Sequence, residues 1–172
     1  FWVWAPGGRQ TQFGLELLSA EAELWSPSTE GELVYLEVAV PLEEVEVDQE
    51  LAFEIGEVLQ LFSQQSPESG ECLIDATCVT TSTLDVIGPL RNAIAQLQYV
   101  KNGNSYVCSG GLLNDTDSAT TIPYLLTANH CLSTQSVAST LEAFWDYRTT
   151  TCGGSWPDLE TRPKSNGATL LA

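Results

Sequence analysis

The sequence contains no methionine, one histidine and only six lysine or arginine residues in 172 positions. Methionine is missing at position 1 as elsewhere, which gives the expectation of a processed chain or a segment of a longer one. No apolar run approaches the roughly 18 residues of a membrane-spanning helix, so no membrane span is expected. The first residues carry no basic stretch followed by an apolar one, so they do not read as a signal peptide. The Gly-Gly pairs are not spaced as G-x-G-x-x-G, and no phosphate loop, internal repeat or coiled-coil heptad is present. The scarcity of bases has the largest consequence. Set against 23 acids, the six bases leave a net charge of −17, which repels phosphate backbones and anionic lipid. Nucleic acid is therefore excluded as a partner.

What is present describes a folded chain. An apolar share of 43% with 17% charged residues is ordinary for a globular protein. The charge is unevenly placed. Residues 1–71 hold 15 acids and one base, Arg9, for −14, whereas 72–172 hold 8 acids and 5 bases, for −3. Ser63 to Glu71 is polar, with Pro67 and Gly70, and coincides with this step. The expected organisation is an acidic β-rich segment over 1–62, a linker over 63–71 and a second β segment over 72–172. For the acidic segment, an accessory domain or a pro-region ranks ahead of a binding module for a cationic partner, because high charge usually means a solvated surface.

Alternation makes both segments read as β. Val34, Leu36, Val38 and Val40 fall on one face at period two, and Leu51, Phe53 and Ile55 repeat the pattern until Gly56 interrupts it. Trp2 to Trp4 ends at the turn signal Pro6-Gly7-Gly8. These strands suggest part of a β-sandwich. In the second segment, Ala93 to Val100 and Ser105 to Cys108 flank Asn102-Gly103, the strongest short hairpin signal. A polar loop, Asn114 to Ser118, precedes Tyr124-Leu125-Leu126, which is expected to start a buried strand running to Cys131. Ala143 to Tyr147 reads as a further strand. The fold class expected is all-β.

All five cysteines, Cys72, Cys78, Cys108, Cys131 and Cys152, lie in the second segment. Their spacing does not match zinc pairs and the chain has a single histidine, so neither a metal nor a cofactor is expected. Disulfides formed in an oxidising compartment are the simpler reading, which points to a secreted protein. The odd count leaves one cysteine to find its partner outside this chain. Two minor features have bland readings. Asn114-Asp115-Thr116 fits a glycosylation sequon, but such triplets arise by chance. The tryptophans Trp2, Trp4, Trp25, Trp145 and Trp156 read as packing residues rather than a ligand groove.

The chemistry converges on His130. A lone histidine at a strand end is usually structural, but this one stands in Thr127-Ala128-Asn129-His130-Cys131, with Cys108-Ser109-Gly110-Gly111-Leu112-Leu113 upstream. The pair of segments resembles the chymotrypsin-like (trypsin-fold) serine peptidases, whose catalytic histidine sits in a T-A-x-H-C segment. Over Cys72 to Ala172 the order of motifs is similar to bacterial lysyl endopeptidases and their relatives. The resemblance implies an N-terminal β-barrel half of such a peptidase, preceded by part of an acidic β-sandwich-like domain. It implies the disulfides Cys108–Cys131 and Cys78–Cys152, with Cys72 paired to a residue not in this chain. It also implies a serine endopeptidase acting on protein or peptide substrate, with His130 as general base. Such a base must hold one ring nitrogen toward the nucleophile and the other toward a carboxylate.

The rest of a triad is not legible. In the resembling family the order is His, Asp, Ser, with the aspartate several tens of residues after the histidine. Asp146 follows only 16 residues on, Asp158 is better spaced but sits in a Pro-Asp-Leu loop close to Cys152, and both read as surface acids; Gly153-Gly154-Ser155 lacks the preceding aspartate of a nucleophile segment. The orienting acid and the nucleophile are therefore expected in a C-terminal half beyond this chain, which alone should be inactive. A non-catalytic homologue used for extracellular binding or adhesion is the runner-up, and a purely structural β-domain ranks third. Lysine selectivity would rest on analogy alone. If the parent cuts after lysine or arginine, it has no self-cleavage site in the linker, because no base occurs between Arg9 and Arg91.

Overall fold

Packing divides the chain into two units, Phe1–Gln60 and Leu61–Ala172, and each is described by itself. The structure is a computed structural model, and it describes residues 1–6, 10–12, 24–39, 54–60, 74–117 and 119–171. The linker 63–71, Cys72, Gly7-Gly8, Val40, Leu51 and Phe53 lie outside the described residues.

In the first unit, β1 (Trp2–Trp4) is the centre of a three-stranded antiparallel sheet between β2 (Thr11–Gln12) and β3 (Tyr35–Glu37). Val3 is buried at the middle of this sheet and pairs with Leu36, while the Trp4 and Tyr35 rings stack at 5.5 Å. The strand expected from Val34 onward is only three residues long, and Val34 and Leu36 remain exposed. It has β1 on one side and no described strand on the other, so alternation here marks an edge and not a buried face. Residues 54–60 carry no strand and Ile55 is exposed, which removes the described part of the second expected strand.

The second unit is an all-β, curled five-stranded sheet with two short helices. Its strands are β4 (Ile94–Lys101), β5 (Asn104–Leu113), β6 (Tyr124–Leu126), β7 (Glu142–Trp145) and β8 (Lys164–Asn166). They lie in the order β6-β5-β4-β7-β8, each antiparallel to its neighbour. The β4–β5 hairpin turns at Asn102 and Gly103, whose φ values of 53° and 69° are both left-handed. A two-residue turn of that hand matches the right-handed twist of its strands, and asparagine followed by glycine tolerates it best. The helices are α1 (Ile87–Asn92) and α2 (Gln135–Ser139); Thr134 caps α2 by accepting from the Val137 N–H.

One face of this sheet makes the core. Ala95, Leu97 and Tyr99 of β4 and Ala143 of β7 are buried there, joined by Cys131, Leu132, Val137 and Leu141 from the loop and helix that follow β6. Gly110 faces Ala95 across the hairpin, and a Cβ built on it would lie 2.9 Å from Leu97 Cδ1 and 3.0 Å from Leu125 Cδ1. Leu97 is fully buried and has little room to yield. Gly110→Ala is therefore expected to cost about 1–3 kcal/mol of overpacking, read as a lower urea midpoint with an unchanged m-value. The opposite face carries Ile94, Leu113, Tyr124 and Leu126, which share a side by register and are all exposed.

The segment expected to run as a buried strand to Cys131 ends as a strand at Leu126. β6 pairs only with β5 among the described strands, so Tyr124 and Leu126 face outward while Leu125 packs against the core, and full burial begins at Cys131.

The N-terminal entry to this unit is tied down by polar contacts. Asp75 accepts hydrogen bonds from the Thr149 hydroxyl and the Thr77 N–H, and the Thr77 and Thr149 hydroxyls are 2.7 Å apart. The hydrogen bond from Thr149, then those from Thr77, pull the Asp75 pKa down from 3.8 to about 2. A carboxylate depressed in the folded state stabilises the fold above its unfolded pKa and loses that contribution as pH falls through the folded one. Asp75→Asn is accordingly expected to lower Tm at pH 5, with the gap to the native protein closing between pH 4 and pH 2. A gap that persists at pH 2 would contradict this role.

Candidate active site

His130 lies in a turn just past β6, and its position follows from what holds its neighbours. Thr127, the first residue after the strand, donates its hydroxyl to the Ser109 carbonyl of β5 at 2.9 Å. The chain then folds back, with the Cys131 N–H donating to the Ala128 carbonyl at 2.9 Å. Cys131 and Leu132 enter the core at 2% and 7% exposure, while His130 itself stays exposed. Burial of the next two residues thus fixes the backbone that carries an exposed imidazole.

Two disulfides brace the same unit. Cys131 is joined to Cys108 of β5 with their Cα atoms 6.4 Å apart, and Cys78 is joined to Cys152 at 4.5 Å. Cys108 lies opposite Leu97 on the core face, and the Tyr99 hydroxyl is 3.5 Å from its sulfur. Both ligand atoms of this pair and a His130 nitrogen lie within 4.8 Å of one another. In the disulfide neither sulfur is a thiolate, so the trio offers a metal ion one good donor, too few for a zinc site.

The third restraint on the turn was not legible in the sequence. The Lys101 ammonium, at the end of β4 beside the hairpin turn, donates to the His130 carbonyl at 3.3 Å. Its only sequence signal is a basic residue flanking an Asn-Gly turn.

The imidazole accepts and donates no hydrogen bond among the described residues, and no carboxylate pairs with it there. The two aspartates that follow His130 in sequence are committed elsewhere. Asp146, held at a left-handed φ of 57°, pairs with Arg148 at 2.7 Å and with Arg162 at 3.9 Å. Asp158 caps the turn Leu159–Thr161 by accepting from the Glu160 N–H. Ser155 is exposed beyond Gly153-Gly154 in the loop that follows Cys152. Among the tryptophans, Trp145 donates to Ser165 at 3.0 Å and Trp156 meets the Tyr147 ring at 5.3 Å, both packing roles. The described residues thus bring together an exposed, backbone-anchored histidine, a disulfide and a lysine.

Comparison with known proteins assigns the family. The sequence profile described as lysyl endopeptidase, C-terminal domain, matches residues 66–172, more than half of the chain. The chain belongs to the lysyl endopeptidase C-terminal domain family. It is similar to a lysyl endopeptidase of Pseudomonas aeruginosa (strain PAO1), with 30% identity over 145 residues covering 80% of this chain and 31% of that protein. The chain therefore spans about a third of the length of that relative. No solved structure matches it. Membership in the lysyl endopeptidase family makes the chain peptidase-related, and the five-stranded sheet with its His130 turn falls wholly within the matched region.

Proposed function

We propose that the chain is the N-terminal part of a secreted, chymotrypsin-like serine endopeptidase domain, preceded by an acidic accessory or pro-region over 1–62 and a linker over 63–71. The observation that carries this reading is the His130 turn. An exposed imidazole is set between a strand-bound threonine and a buried half-cystine in a peptidase family. In this reading His130 takes the proton of a serine hydroxyl as the serine attacks the scissile carbonyl, then returns it to the leaving amine. The serine, the aspartate that orients the ring and the oxyanion donors come from the rest of the parent. The open apolar patch of Ile94, Leu113, Tyr124 and Leu126 supports this. It is a sheet face suited to burial under a further part of the domain, and Cys72 is the cysteine left for a bond to that part. Two disulfides in a small unit favour an oxidising, extracellular setting.

The test is hydrolysis of a mixed peptide substrate by the parent and by this chain alone. The parent is expected to cleave and to be inactivated by a serine-directed phosphonylating reagent, while the isolated chain cleaves nothing. Cleavage by the isolated chain, or a parent indifferent to the reagent, would overturn the reading.

A further inference from the structure

Among the six bases of this acidic chain, Lys101 occupies an unusual position. In the second unit Arg148 and Arg162 pair with Asp146, and Lys164 pairs with Glu142 and Glu160. Arg91 caps the carbonyls of Ala76 and Val79. Lys101 makes no ion pair among the described residues, and its ammonium goes to the His130 carbonyl.

Several observations fix the backbone on either side of that bond. Lys101 is the last residue of β4 and pairs in register with Asn104. The turn between them has two left-handed residues, and Asn104 donates its side-chain amide back to the Asn102 carbonyl at 3.0 Å, which stiffens the tip. The long strand behind it is anchored by the buried Leu97 and Tyr99. On the other side, the His130 carbonyl belongs to the peptide unit that joins it to Cys131, the half-cystine buried in the core. The same peptide unit is held at its other end, where the Cys131 N–H donates to the Ala128 carbonyl at 2.9 Å. A charged donor on the His130 carbonyl adds a second, opposed hold, so tilting the peptide plane strains both bonds.

We infer that Lys101 is a positioning residue for His130, its ammonium holding the His130 peptide plane so that the imidazole keeps one direction. The inference rests on the proposed role of His130 as general base. Lys101 touches neither the imidazole nor the reacting atoms, so its effect passes entirely through backbone orientation. Misalignment of a catalytic group lowers the chemical step while leaving substrate binding little changed.

The experiment compares the parent enzyme with its Lys101→Met, Lys101→Arg and His130→Ala variants, by steady-state peptide hydrolysis and by thermal melting. Lys101→Met is expected to lower kcat about tenfold with KM within twofold and Tm within about 2 °C. Lys101→Arg keeps a cationic donor and is expected to recover most of kcat. A Lys101→Met enzyme with native kcat would overturn the inference, as would Lys101→Arg being as slow as Lys101→Met. So would a fall in kcat matched by a lowered Tm that arginine does not restore. His130→Ala separates the role of the base from that of the lysine. If it is inactive while Lys101→Met is fully active, the base assignment stands and the positioning role fails; if it retains full activity, both fail together.

Discussion

Replacing His130 by alanine in the full-length parent is expected to lower kcat by about 10⁴- to 10⁶-fold, with a much smaller change in KM. A serine hydroxyl is a weak nucleophile at neutral pH, and the attack requires a base within hydrogen-bond reach to take its proton. His130 is the single histidine among these 172 residues, so this chain holds no second imidazole to take over that work. Its surroundings suit the task. The imidazole is exposed and without a hydrogen-bond partner among the described residues, while the backbone beneath it is held by Thr127, Cys131 and Lys101. Substrate binding depends on other surfaces and is expected to survive. The measurement is steady-state hydrolysis at saturating and subsaturating peptide, with circular dichroism to show that the variant is folded. A loss smaller than tenfold would mean that the base lies elsewhere in the parent.

The second large effect concerns stability. Closing a loop of 74 residues by Cys78–Cys152 is expected to stabilise the second unit by about 4 kcal/mol, and the 23-residue loop of Cys108–Cys131 by about 3 kcal/mol. These figures come from the entropy that each bond removes from the unfolded chain. Paired Cys→Ser substitutions in each bond, unfolded in urea, measure the two contributions. Compared as alanine pairs, which add no buried hydroxyl, the longer loop should give the greater loss. For Cys108–Cys131 a further cost arises in the folded state, because Cys131 is 2% exposed and serine would bring a hydroxyl into an apolar core. The alanine pair should therefore be less harmful than the serine pair at this bond, and equal at the more exposed Cys78–Cys152. Losses under about 1 kcal/mol at both bonds would contradict the loop-closure account.

How much of this was legible depended on how local the signal was. The Asn102-Gly103 turn needs only two residues and the alternation on either side, and the hairpin stands where those residues put it. The β7 strand was similarly readable from the run Ala143 to Tyr147, although it spans Glu142–Trp145 and stops before Asp146, which takes a left-handed φ. Alternation alone could not tell an edge strand from a buried one. Val34 and Leu36 carry the same pattern as the core strand β4 yet remain exposed, because burial depends on what packs against a face. Short helices left still less trace. α2 has five residues, and only Thr134 at its start announces it. Contacts between distant residues left none. The Asp75–Thr149 bond spans 74 positions and the Lys101–His130 bond spans 29, and neither partner type is unusual in sequence. The family was legible only because T-A-N-H-C and C-S-G-G-L-L are read as a pair, and each half alone has an ordinary structural explanation.

The central claim is that this chain supplies the general base of a serine endopeptidase whose nucleophile lies outside it. The most direct measurement is intact-mass analysis, followed by peptide mapping, after treating the parent and the isolated chain with a fluorophosphonate probe. The account predicts one adduct on the parent, mapped to a serine beyond Ala172, no adduct on the isolated chain, and labelling of the parent slowed by orders of magnitude in the His130→Ala variant. An adduct on a serine of this chain such as Ser155, or labelling of the His130→Ala parent at the native rate, would contradict it.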